Sequence, residues 1–301
     1  MYDRKTEDGE QALSLPQKAA QRKARTRRSY DAALSRYTTR PRLLRISWVT
    51  WIIAVGTLGV WGFTAYQAAL AVGAHTIRDV LANMTHNAID IQPSNNDAIT
   101  TVLITYGAKD NALIIHGQYW RFITPVFLHL NTLHVGLNMF NFLLLGIFLE
   151  RLVGHLRLLL LYIVCGMVSV ITSFYFAPHE ISVGASGAIF GLVGAYSIFV
   201  LVHRRAFRFG GVFAILWLII VIGANLSVGF FVPDVDNYAH IGGLVSGCLL
   251  GWGFTPLYRE SPTRQVVDMH SLIYRWPLAL LTILGTLLLA MIALYLNGTK
   301  S

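Results

Sequence analysis

ISVGASGAIFGLVGAYSIFVLV, residues 181–202, carries no charged residue, yet at its head it sets a serine among small residues, Gly184-Ala185-Ser186-Gly187. A helix rises 1.5 Å per residue, so about 20 apolar residues cross the ~30 Å hydrocarbon core of a bilayer. Reading this run as a membrane helix decides the class of the whole chain, because similar runs flank it on both sides. Only 13% of the 301 residues are charged and 54% are hydrophobic, and the mean hydropathy is +0.54. Soluble domains carry roughly a quarter charged residues. The chain is therefore expected to be an all-α, polytopic membrane bundle.

Seven segments have the length of a span: 47–72, 132–150, 156–176, 184–202, 211–232, 238–256 and 276–296. The second is the least uniform, since His134, Asn138 and Asn141 interrupt it. Lys and Arg concentrate in the arm before the first span and in the connections after the second (Arg151, Arg157), fourth (Arg204, Arg205, Arg208) and sixth (Arg259, Arg264, Arg275). The connections after the third and fifth spans, 177–180 and 233–237, have none. Basic loops stay on the cytoplasmic side, which predicts a cytoplasmic N-terminus and an outside C-terminus. The division expected is a basic, flexible arm over 1–46, a six-span core over 47–256, a cytoplasmic linker over 257–275 and an additional span with a short tail over 276–301. The first connection, about 73–131, is long, and its aromatic second half, 117–134, suits a segment lying at the membrane interface.

The formal net charge of +9 does not point to nucleic acid, because the basic residues lie between spans and in the arm. The arm can instead rest against anionic lipid. Cys165 and Cys248 sit mid-span without metal-ligand spacing, and they read as small core residues. His129 and His134 lack a third ligand and do not share a helical face, so no metal and no cofactor are expected. Acidic residues in the arm (Asp3, Glu7, Asp8, Glu10) are foreign to organelle transit sequences; they favour a bacterial plasma membrane. Arg121 reads as an interface anchor, and Glu150 as an ion pair or loop acceptor.

Polar residues within spans are costly and mark function by default. With the topology above, the second, fourth and sixth spans all enter from the outside. Each carries its polar residues in the first turns: His134 and Asn138, Ser186, and His240. The clusters share one depth. His134 and Asn138, four apart, also share a helix face. Gly187, Gly191 and Gly194 form a small-residue stripe on the fourth span, and Gly243 and Gly247 continue one from His240 on the sixth. Such stripes let membrane helices approach closely, which would bring Ser186 to His240. A hydroxyl becomes a nucleophile when a hydrogen-bonded imidazole takes its proton. Acyl transfer also needs donors for the oxyanion, and His134, Asn138 and the Ser186 backbone N–H have the right chemistry. Glycine at Gly184 permits the irregular backbone that presents that N–H.

These motifs resemble the rhomboid family of intramembrane serine proteases. The likeness rests on GASG (184–187), AHIGGLVSG (239–247), HVGLN (134–138) and the pair Trp120-Arg121, and it covers about residues 105–256. It implies a Ser186–His240 dyad without a third carboxylate, an oxyanion site using His134 and Asn138, and substrate entry beside the fifth span under a loop joining the fifth and sixth. The substrates implied are transmembrane proteins, cut near the outer membrane boundary. Phe190 stands four residues after the serine, where a tyrosine is also found in the family; it can stack on His240 but donates no hydrogen bond. The seventh span resembles a six-plus-one arrangement. A catalytically silent scaffold that binds transmembrane helices is the alternative, and the presence of both dyad residues speaks against it.

Overall fold

The computed structural model describes residues 14–25, 46–86, 97–204, 235–256, 258–260 and 266–268, with scattered helical positions within 212–223 and 277–296. Most of the expected fifth and seventh spans, and the loop joining the fifth and sixth, lie outside the described residues. Residues 15–25 of the arm form an exposed helix.

The protein is a helical membrane bundle. Among the described residues, three helices are long and apolar enough to cross a membrane: the first span Trp48–Ala71, the second Thr132–Val153 and the third His155–Phe176. The fourth, Ser186–Val202, has 17 residues, and the sixth, Asn237–Phe254, has 18. The expected boundaries lie within three residues of these, because hydropathy and bilayer thickness set helix length directly. The linker after the sixth span holds a short antiparallel pair, Tyr258–Glu260 against Val266–Asp268.

Exposure separates lipid-facing from interior positions. Leu133, Leu137, Phe140, Leu144 and Phe148 form an exposed stripe down the second span, and Ile241, Val245, Leu249 and Trp252 form one down the sixth. The fourth span lies largely inside, with Gly187–Leu192, Gly194 and Ala195 buried. Seventeen residues at 1.5 Å give it about 26 Å, less than the ~30 Å core. Ser186 is the first residue of this short interior span.

The fourth and sixth spans touch backbone to backbone. A Cβ added at Gly243 would collide with the carbonyl of Gly187, and one at Gly247 with the carbonyl of Gly191. Only glycine allows this approach, which sets His240 beside the head of the fourth span. The third span fills the notches on the fourth from its other side: Ser169 packs against Gly187 and Cys165 against Gly191.

The first connection is more internal than an interfacial segment. It holds three helices, Ile77–His86, Asp97–Tyr106 and Asn111–Ile115, followed by two 3-10 turns, Tyr119–Phe122 and Thr124–Phe127. Tyr119 and Trp120 are exposed, but Ile114, Phe122 and Val126 belong to the main core. Leu103, Ala108 and Leu128 pack with Ala68 of the first span. Arg121 is correspondingly not an interface anchor. It is 3% exposed, and its guanidinium donates to the Ala108 carbonyl at 2.7 Å and to Gln118 Oε1 at 2.8 Å. Its charge staples the loop to itself.

Candidate active site

The fourth span starts from a turn that the first connection holds in place. Gly184 has φ +124°, a left-handed value that favours glycine. A Cβ there would also stand 2.8 Å from His134 Nε2. The Gly184 N–H donates to the Pro125 carbonyl at 2.9 Å, and the Ala185 N–H donates to His129 Nε2 at 3.3 Å. Lys109 N–H donates to the Ser182 carbonyl and Ser182 N–H to the Lys109 carbonyl, at 3.0 and 3.3 Å. Three points of the loop thus fix the path into Ser186. As the first helical residue, Ser186 has an N–H with no intrahelical carbonyl to bond, at the positive end of the helix dipole.

His240 Nε2 lies 2.8 Å from Ser186 Oγ. Ser186 is half-buried and His240 is 7% exposed. The Phe190 ring stacks on the imidazole, with centroids 4.5 Å apart and planes 18° apart. Asp236 caps the sixth span by accepting the Ala239 N–H at 2.9 Å. His134 reaches the same turn through its contact line with Gly184. Asn138, one turn further along, is buried and donates to the His134 carbonyl at 2.9 Å. One amide hydrogen of Asn138 is thereby held by its own helix, and the other is left for a different acceptor. The site therefore gathers Ser186, His240, His134 and Phe190 around one turn, with Asn138 one helical turn along from His134.

Two supports were not legible as such in the sequence. His129 stands edge-on to His134, with ring centroids 5.1 Å apart. Residue 129 precedes the helix Thr132–Val153, so helical spacing does not govern where this pair meets. Full burial pushes the His129 ring down to about 3, so it stays neutral and accepts the Ala185 N–H. Lys109 is fully buried and donates to the carbonyls of Ala177 and Glu180 at 2.5 and 2.8 Å. Burial lowers its ammonium to about 8, partly offset by Asp236, Glu180 and Asp110.

The family model described as Rhomboid domain matches residues 116–257. The chain is 42% identical over 149 residues to "Rhomboid protease GluP" of Bacillus subtilis (strain 168), covering 49% of this chain and 28% of that protein. It is 32% identical over 212 residues to "RHOMBOID-like protein 6, mitochondrial" of Arabidopsis thaliana, covering 68% of each. The chain belongs to the rhomboid family. For "RHOMBOID-like protein 1" of Arabidopsis thaliana, 42% identical over 151 residues, the match covers 38% of the relative; the chain thus spans well under half the length of that relative and of the Bacillus subtilis one. The rhomboid domain takes in the whole site, from the 3-10 turns before His129 to the end of the sixth span. Lys109, which anchors the turn, lies in the first connection outside that match.

Proposed function

We propose that this rhomboid is an intramembrane serine endopeptidase that cleaves transmembrane protein substrates near the outer membrane boundary through a Ser186–His240 dyad. One observation carries the reading: the 2.8 Å contact between His240 Nε2 and Ser186 Oγ inside a membrane bundle. A buried histidine within a span is costly and marks function by default, and here its partner is a serine hydroxyl. The printed name of the Bacillus subtilis relative, a protease, points the same way.

In the first step His240 Nε2 takes the Ser186 proton as Oγ bonds to the substrate carbonyl carbon, leaving an imidazolium and an oxyanion. The Ser186 N–H and the His134 ring stand around the Gly184 turn, where the oxyanion would form, with the free Asn138 amide hydrogen behind them. The imidazolium then protonates the departing amine, the peptide bond breaks and an acyl-enzyme remains. Water, deprotonated by the same imidazole, hydrolyses the ester and restores Ser186. Hydrolysis at this depth requires a water-filled route to Ser186, and the start of a short span is where such a route would open. A cytoplasmic N-terminus in a bacterial plasma membrane would put that route on the outer face.

Labelling of the purified chain by a fluorescent fluorophosphonate tests the reading. The unmutated protein is expected to label, and Ser186→Ala and His240→Ala are expected to lose the signal. Cleavage of a single-span reporter should fall by a factor on the order of 10⁴ or more in either variant. Cleavage retained by Ser186→Ala would overturn the mechanism, and a folded chain that neither labels nor cleaves would favour the scaffold alternative.

A further inference from the structure

The buried polar atoms at the head of the sixth span do not all find partners. Asp236 Oδ1 takes the Ala239 N–H, but Asp236 Oδ2 is buried and makes no hydrogen bond among the described residues. His240 Nδ1, one turn further on, is in the same condition. Residues four apart share a helix face, and helix side chains lean toward the N-terminus, so the residue at i+4 tilts over residue i. The His240 N–H donates to the Asp236 carbonyl at 3.2 Å, so one helical turn separates the imidazole's residue from the carboxylate's. We propose that Asp236 is the charge partner of His240, a positioning residue whose carboxylate stabilises the imidazolium that forms when Ser186 gives up its proton. The inference rests on the dyad reading above.

The chemistry requires some such partner. For Nε2 to accept the serine proton, the ring hydrogen of neutral His240 must sit on Nδ1. Proton transfer from Ser186 Oγ then turns that buried N–H into part of a buried cation. The cation forms in the first turn of a helix, where the macrodipole is positive and disfavours it. An opposite charge within about 4–6 Å favours the charged ring.

Among the described residues, the groups facing the imidazole from other elements do not supply that charge. The fourth span offers the neutral Ser186 and Phe190, and the third span packs Thr172 against Gly242. The second span offers His134, backed by the neutral His129. Lys109 of the first connection is a cation in the field of Asp236, Glu180 and Asp110, so it adds no negative charge. Asp236 does not take the proton and need not touch the ring. It acts through space, by holding one negative charge where the positive one appears. The dyad then works with a remote carboxylate in place of a hydrogen-bonded third member.

Asp236→Asn separates charge from structure, because Asn and Asp cap helices about equally well. The experiment is the rate of fluorophosphonate labelling of the full chain in detergent as a function of pH; in that reaction Ser186 Oγ bonds to phosphorus, fluoride leaves and the proton passes to His240. Loss of the carboxylate should make the ring harder to protonate and a weaker base. The acid limb of the profile is expected to move to lower pH by about one unit, and the plateau rate to fall about tenfold. Asp236→Ser, another uncharged cap, should do the same, while Asp236→Glu should keep the original limb. An acid limb that stays in place in both Asn and Ser variants would overturn the proposal and leave Asp236 as a cap alone. Failure of the unmutated chain to label, or labelling of Ser186→Ala, would instead strike the dyad reading, and this inference with it.

Discussion

The second span carries a buried polar cluster at each end, and the two ends follow opposite rules. At its C-terminal end Glu150, 2% exposed, spends both carboxylate oxygens. It accepts the N–H groups of Val49 and Thr50 at 3.1 and 2.9 Å and the Thr50 hydroxyl at 2.5 Å, and it pairs with the His155 ring. It thereby supplies, from about 100 residues away, the cap that the first span lacks at Ser47, with a negative charge at the positive end of a helix. At the N-terminal end the groups are gathered but not saturated. Ser186 Oγ meets an imidazole, the Ser186 N–H is a first-turn orphan, and His240 Nδ1 and Asp236 Oδ2 have no partner among the described residues. An unsatisfied buried polar group costs about 1–3 kcal/mol. Saturation is what a structural cluster needs. Retained capacity is what a reaction needs, since hydrogen bonds already spent on the fold are not free to strengthen in a transition state.

The comparison breaks most visibly at the dyad. Ser186→Ala and His240→Ala are expected to abolish labelling and cleavage, a loss on the order of 10⁴ or more, while the thermal midpoint stays unchanged or rises. A large fall in stability with either substitution would place the dyad among the structural clusters instead. Asn138→Ala comes next. On the proposed mechanism it removes an oxyanion donor and should lower kcat by about 10²–10³ with little effect on KM. A loss below tenfold would mean that its bond to the His134 carbonyl is its whole role, leaving the oxyanion to Ser186 N–H and His134.

The first four spans, the sixth and the gathering of Ser186 with His240 were legible because they leave local or periodic traces. Hydropathy over about 20 residues marks a span, and glycines at Gly187, Gly191, Gly243 and Gly247 mark the faces that meet. The first connection left no such trace. Lys109 looks like an ordinary outer-loop cation, and its carbonyl partners are 68 and 71 residues away. Arg121 reads as an interface residue beside the exposed Trp120, although its partners fold back within the same loop. Glu150 was recognisable as an acceptor, but not as the cap of a helix 100 residues earlier. Hydrogen bonds between distant segments impose no spacing rule on either one, so a single sequence does not show them.

Glu150→Ala tests the saturated end. It leaves the Val49 and Thr50 amides and the Thr50 hydroxyl without their acceptor, and some of that loss is recovered by water at the helix end. A destabilisation of about 2 kcal/mol is expected, or roughly a thirtyfold shift toward unfolding. The midpoint in a detergent melt should drop by about 5 °C. Labelling of the surviving folded fraction should be normal, because the cluster lies at the opposite end of the second span from His134. Impaired labelling at full stability would show that the two ends are coupled through the helix.

Phe190→Leu asks for the smallest change and sharpens the account of the other end. Among the described residues, the imidazole is oriented by one bond, to Ser186, and by the flat ring stacked on it at 4.5 Å. Leucine keeps the site apolar and water-poor but removes the flat face. Aromatic pairs contribute about 0.5–1.5 kcal/mol beyond area burial, which corresponds to a slowing of about two- to tenfold in the labelling rate. Phe190→Tyr restores the face and should recover most of that rate. If leucine matches the unmutated rate, stacking does not hold the ring, and orientation must come from the helix geometry that the backbone contact of Gly243 with Gly187 imposes. If leucine costs 10³ instead, the ring position is far more sensitive than packing alone allows, and the unpartnered Nδ1 would be the place to look for the reason.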